Sequence, residues 1–289
     1  MRPDRLCIVI AVIAGVVVYG CRKRSSPAVV ADVLAIAVPR IPLSPDDAAW
    51  ASAPEHQAAL LPQDMVEPRL VSPSTPLLRV RALTDGRRIA FRIAWSDATK
   101  DDLTGAAVFS DACAVQLPVA IDTSVPDPQM GQPGRPVEIT MWSARWQAET
   151  DNPPQSIRDI YPNAAVDHYP FESPALDRES PDRQEMALRY APARALGNAA
   201  AGPRRQPVQD LIAEGPGTIA PNAAGTASGL GRRTSDGWVV VIVRDLPRGL
   251  SADRSTHVAF AVWDGARHEV GSRKMRSAWI PLRTGKPHG

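Results

Sequence analysis

The fold class predicted is all-β, an antiparallel β-sandwich with long loops and a few short helices. Three observations predict it. Short stretches of strict apolar–polar alternation recur along the chain, the mark of strands with one buried face. Proline supplies 29 of 289 residues, about twice the usual share, and interior prolines break helices. The rhythm of strand alternating with long helix that marks an α/β fold is missing.

The strongest element signal is Leu77 to Leu83, then Thr84-Asp85-Gly86-Arg87, then Arg88 to Trp95: two alternating runs around an Asp-Gly turn, which is a β-hairpin. Ile89, Phe91, Ile93 and Trp95 share its buried face, and Arg88, Ala90, Arg92 and Ala94 the other. Further strands are expected at Ala112 to Leu117, Val137 to Trp146, Gly237 to Leu246, Thr256 to Trp263 and Ser277 to Leu282. Short helices are expected at Arg183 to Tyr190 and Pro207 to Ala213. Residues 147–236 hold eleven prolines and little regular alternation, too much chain for an idle connection, and read as a functional excursion or partner surface. The division that results is an export or anchor segment at 1–24, a flexible tether at 25–45, one sandwich domain at 46–283 and a tail at 284–289.

Ahead of the domain, Leu6 to Gly20 is a 15-residue apolar run behind Arg2 and Arg5, the layout of a secretory segment and short for a bilayer span. It ends Val18-Tyr19-Gly20-Cys21, similar to a lipoprotein cleavage box, which makes Cys21 the candidate lipidation site. An uncleaved anchor competes, because Arg22-Lys23-Arg24 follows at once; an ordinary cleaved signal is the third reading. Each favours an exported protein on the periplasmic side, attached to the membrane through its N-terminus in the first two.

The formal net charge of +2 gives no electrostatic grip on phosphates, so nucleic acid is not an expected partner. Three cysteines, Cys7, Cys21 and Cys113, cannot form a four-thiolate metal site. The five histidines are dispersed with no pair at metal-ligand spacing, and no nucleophile elbow, phosphate loop or zinc-protease motif occurs. Gly229-Leu230-Gly231 neither leaves a clear strand nor opens a helix, and Asp101-Asp102 reads as solvated turn charge. Cys113 reads as a buried apolar residue. The chain is therefore not expected to be an enzyme by itself.

Several stretches together resemble one family, in the family's order: Asp85 to Asp97; Phe109-Ser110-Asp111-Ala112-Cys113-Ala114-Val115-Gln116-Leu117-Pro118; Gln129-Met130-Gly131 leading to Pro136-Val137-Glu138-Ile139; Val208 to Thr218; Val258 to Ala266; and Gly271-Ser272-Arg273-Lys274 before Trp279. The family is that of the haem b-binding γ subunits of the type II dimethyl sulfoxide reductase group, which includes ethylbenzene dehydrogenase and chlorate reductase. The resemblance covers Trp50 to Leu282 and implies a β-sandwich holding one noncovalent haem b. Pro216 departs from it, standing where an aromatic residue is expected, and Arg183 to Arg205 matches poorly.

The positions that match the family's iron ligands are Met130 and Lys274. Met130 lies in a turn-rich polar loop where a packing methionine is poorly motivated, although a loose loop methionine is the plain alternative. Only four of the 33 basic residues are lysines, and Lys274 alone stands between late strands; a solvated amine is its plain alternative. A ligating amine must be deprotonated, so burial and the iron's charge have to lower its pKa. With both axial positions filled, the chemistry implied is electron transfer. Met141, Trp142 and Phe260 are candidates to wall the porphyrin.

The resemblance implies an exported molybdenum oxidoreductase complex, with a molybdopterin catalytic α subunit, an iron–sulfur β subunit and a soluble cytochrome or quinone-linked carrier as partners. Two other readings stay open on the residues: a haem domain of a respiratory cytochrome chain without a molybdenum enzyme, and a haem-free module that binds carbohydrate or protein.

Overall fold

The computed structural model describes residues 31–103, 107–122, 124–152, 163, 181–190, 192–196, 204–251 and 253–285. The expected export and lipidation segment, Cys21 included, lies outside them. In chain order the strands are β1 (Val33–Ala37), β2 (His56–Ala59), β3 (Leu61–Pro62), β4 (Leu77–Thr84), β5 (Arg88–Ser96), β6 (Ala112–Pro118), β7 (Val137–Ser143), β8 (Val208–Ala213), β9 (Ala220–Pro221), β10 (Ser228–Arg233), β11 (Gly237–Asp245), β12 (Thr256–Trp263), β13 (Met275–Arg276) and β14 (Ile280–Gly285). Helix α1 spans Ala144–Asp151, α2 Pro181–Tyr190 and α3 Pro192–Ala195.

The strand order is β10-β11-β5-β4-β1-β14-β12-β6-β7-β8-β9. β12 turns the corner between two layers. Its first residues, Thr256 to Val258, pair with β14, and Ala259 to Trp263 pair with β6. Pairing is antiparallel except at β1, which runs parallel to both β4 and β14.

Alternation explains the layers. The face of β5 that carries Ile89, Phe91, Ile93 and Trp95 meets Cys113, Val115 and Leu117 of β6 and Val258, Phe260 and Val262 of β12 in the main core. Trp142 sits there too, fully buried, edge-on to Trp95 and Trp238. Its indole N–H donates to Gln147 Oε1, which also accepts the Gly231 N–H. The hairpin turn forms as its Asp-Gly signal requires, with Gly86 at φ +84° and Asp85 Oδ1 accepting from the Arg87 and Arg88 amides.

Five expectations differ from the structure. The stretch 147–236, read as an excursion, carries β8, β9 and β10, which pair into the sandwich. Val33–Ala37, within the stretch read as tether, forms β1, where Val33, Ala35 and Ile36 are buried. The run expected as a strand to Trp146 stops at Ser143, where α1 begins. Pro207 to Ala213, expected as a helix, is strand β8, because β7 offers it six paired positions and so satisfies its backbone in extended form. The last strand starts at Ile280 rather than Ser277, since Ser277 is occupied closing a loop, its hydroxyl accepting from the Phe260 amide.

Candidate functional site

The outward face of β6, β7, β8 and β12 is floored by small and flexible side chains. Strand register places Ala261, Ala114 and Met141 in one row across three strands, and Ala259, Gln116, Ile139 and Leu211 in the next. The same strands turn larger residues to the other face. Alanine fills little volume, so the segments that cover this face stand off it and leave a cavity of about 820 Å³, within the range of about 300–1,000 Å³ usual for cofactor and ligand pockets. Its walls come from Val108 to Ser110 before β6, Pro128 to Met130, Pro216 to Ile219, Glu269 to Lys274, and Arg145 and Trp146 of α1.

Met130 and Lys274 both line this cavity. Met130 adopts φ +73°, a left-handed backbone rarely taken by a residue with a side chain, and held only where the surroundings over-determine it. Those surroundings are specific. The Met130 carbonyl accepts from the Gly215 amide at 2.8 Å, and the Gly131 amide donates to the Asp127 carbonyl at 2.9 Å. The Pro128 carbonyl accepts from Gln116 Nε2 on the cavity floor. Gly131 follows at φ +82°, and a side chain there would meet the Arg135 and Ala213 carbonyls at 2.9 and 3.1 Å. The loop is thus fixed with the Met130 side chain against the outer apolar cluster.

Lys274 is set by the loop ahead of β13. Its carbonyl accepts from the Gln63 backbone N–H, and the buried Gln63 side chain donates to the Ser272 carbonyl, so one residue clamps that loop. The ammonium lies 5.2 Å from the Trp263 ring centroid, and the Trp263 indole donates to the Gly271 carbonyl. Burial, assisted by the Arg276 charge, brings the Lys274 pKa down to about 8. The amine therefore gives up its proton more easily than an exposed lysine, as a metal ligand must. Arg276 Nε is buried at the same wall with no hydrogen-bond partner, leaving a donor for an anionic group.

Of the other residues singled out from sequence, Met141 lines the cavity, while Phe260 borders it from a strand position whose side chain packs in the main core against Phe91. Trp142 does not line it. Its strand partner Val208 belongs to the main core with it, and its neighbour Met141 takes the outward position, so the two-residue period sends Trp142 inward. Cys113 is fully buried, its thiol pKa raised by burial, as befits a packing residue. The alanine floor escaped sequence reasoning because small residues carry no hydrophobic signal of their own.

A β-sandwich with a cofactor-sized apolar pocket on an outer face, walled by a thioether and an easily deprotonated amine, is the class these features define. The chain belongs to the ethylbenzene dehydrogenase family, whose profile matches residues 47–275. Two curated relatives are each 24% identical. One is described as a respiratory nitrate reductase heme subunit of Haloferax mediterranei, over 82% of this chain and 67% of the relative. The other is the chlorate reductase subunit gamma of Ideonella dechloratans, over 83% of this chain and 79% of the relative. Among solved structures, a carbohydrate binding module family 9 from Caldicellulosiruptor kristjanssonii aligns over 89% of this chain and 96% of that one, with 8% identity and a TM-score of 0.43. Among the described residues no helix is long and apolar enough to cross a membrane.

Proposed function

We propose that this chain is the haem b-binding, electron-transferring γ subunit of an exported molybdenum oxidoreductase complex. The observation that carries the reading is the presence of Met130 and Lys274 on the walls of one apolar cavity of cofactor size. The donor set fits haem: a soft thioether, an amine with a lowered pKa, an alanine floor able to take a flat ring, and an unpaired arginine donor for a carboxylate. Haem b held there supplies a one-electron Fe(III)/Fe(II) couple.

The chain's own residues do the rest. Met130 and Lys274 would hold the iron, and two protein ligands would leave oxygen or substrate no vacant site, which keeps the role to electron relay. The apolar floor would keep water from the haem, and Arg276, with its unpartnered Nε, would offer a donor to a haem carboxylate. Catalysis falls to a molybdopterin α subunit, an iron–sulfur β subunit passes electrons to or from the haem, and a soluble cytochrome or quinone-linked carrier completes the circuit. Cys21 is the proposed lipidation site holding the chain at the periplasmic face, which mass spectrometry of the mature N-terminus reads directly.

The test is a reduced-minus-oxidised visible spectrum of the full chain expressed with haem available, recorded with and without carbon monoxide. A six-coordinate low-spin b-type spectrum untouched by carbon monoxide is expected. A well-folded chain without haem, or one whose haem takes up carbon monoxide readily, overturns the reading.

A further inference from the structure

Three of the stretches that carry the family resemblance contribute an aspartate to one point of the fold. Asp97 follows β5, Asp111 precedes β6 and Asp264 follows β12. One carboxylate oxygen from each lies within 4.8 Å of the other two. Asp97 is only 9% exposed, and its Oδ2 is buried without a hydrogen-bond partner. Asp111 is fully buried. Its Oδ1 accepts from the Gly265 amide, and its Oδ2 from the Asp101 amide and the Trp238 indole, each at 2.9 Å. Those bonds orient the carboxylate, fill both lone pairs of Oδ2 and leave one free on Oδ1.

Three carboxylates this close repel one another unless a counter-charge stands among them. The cations nearby fall short of supplying it. Arg267 Nε stands 3.6 Å from Asp264 Oδ2 on an exposed side chain, and Arg233 donates to the Asp97 carbonyl rather than its carboxylate. The strain registers in the acids themselves: burial, then the charge of Asp97, pushes Asp111 up to about 6, and burial with the same charge raises Asp264. An all-oxygen donor set without histidine or thiolate suits a hard cation, and oxygens within 4.8 Å of one another fit a sphere with metal–oxygen distances of about 2.3–2.6 Å, those of Ca²⁺.

We propose that Asp97, Asp111 and Asp264 bind one Ca²⁺ ion, which ties the end of β5 in one layer to the ends of β6 and β12 in the other. Gly265 belongs to the device, because a side chain there would meet Asp101 Cβ and the Phe109 carbonyl at 2.5 Å. The ion also steadies two walls of the cavity. Phe109 and Ser110 lead into Asp111, and Glu269, on the cavity wall, accepts the Asp264 amide through Oε2.

The test uses the full chain in mild detergent, stripped with EGTA, then melted with and without CaCl₂. Calcium at a hundredfold excess over its Kd is expected to raise the wild-type midpoint by about 5–10 °C. Terbium at the site is expected to luminesce on tryptophan excitation, since the Trp238 indole touches Asp111. Asp97→Asn removes one charge from the cluster, so in EGTA it melts no lower than the wild type, and it loses the calcium shift. No calcium shift in the wild type, or an Asp97→Asn variant destabilised equally with and without calcium, overturns the proposal. Because Asp97→Asn is judged against its own melting in EGTA, a general folding defect cannot pass for loss of the ion.

Discussion

The two outward faces of the sandwich are both apolar, yet they are covered differently: one is closed by a packed cluster, and the other encloses the cavity lined by Met130 and Lys274. On the layer of β1, β4, β5 and β11, Ile36, Leu83, Ala90, Val241 and Val243 are closed over by Trp50 into a packed second cluster. The lid is tied down: the Trp50 indole donates to the Ser44 carbonyl, and Arg81 donates to the Trp50 and Ala53 carbonyls. On the layer of β6, β7, β8 and β12, alanines replace the larger residues and the covering loops stand away from them. What separates a structural face from a binding face here is side-chain volume on the strands and how the covering loops are anchored, not the strand architecture.

Mutations can break that contrast. Trp142→Ala empties the inner side of the binding layer, and a loss of about 3–5 kcal/mol is expected in denaturant unfolding, because the ring is fully buried between Trp95 and Trp238. Ala114→Phe fills the outer side instead. Haem affinity is then expected to fall by more than about a hundredfold in a spectrophotometric titration while the melting temperature holds, since the ring enters existing space. A variant that still binds haem normally would show that the floor is not where the ligand lies.

The loops sharpen the contrast further. Gly131→Ala forces a methyl group into the Arg135 and Ala213 carbonyls at positive φ, which costs about 1–3 kcal/mol and displaces Met130, so the haem-loaded protein is expected to lose its low-spin spectrum. The effect of pH is gentler. Lys274 has a folded pKa of about 8, and below it the proton competes with iron for the amine; haem affinity is expected to fall as pH drops, by up to about tenfold per unit. In the haem-free chain the unfolded amine binds its proton more tightly than the folded one. Lys274 therefore makes stability rise with pH between about 8 and about 10, which pH-dependent melting checks.

Legibility in the sequence followed the range of the interactions. The β4–β5 hairpin was plain because its alternation and its Asp-Gly turn are local, and β6, β11 and β12 were found by the same period. β8 was misread because six residues with two polar side chains do not declare a period until β7 lies beside them. β1 was missed because its partners are β4 and β14, the latter at the far end of the domain. Met130 and Lys274 were singled out by resemblance, and their shared cavity is visible only in the fold. The aspartate cluster was hidden for the same reason, its members standing in three separate stretches.

The central claim is that the alanine-floored face holds a haem between Met130 and Lys274. The most direct measurement is the spin state of the ferric haem, read by electron paramagnetic resonance on the full chain beside Met130→Ala and Lys274→Ala. The account predicts a low-spin signal in the wild type that turns high-spin, or vanishes with the haem, in each variant. A low-spin signal unchanged in both variants would contradict it.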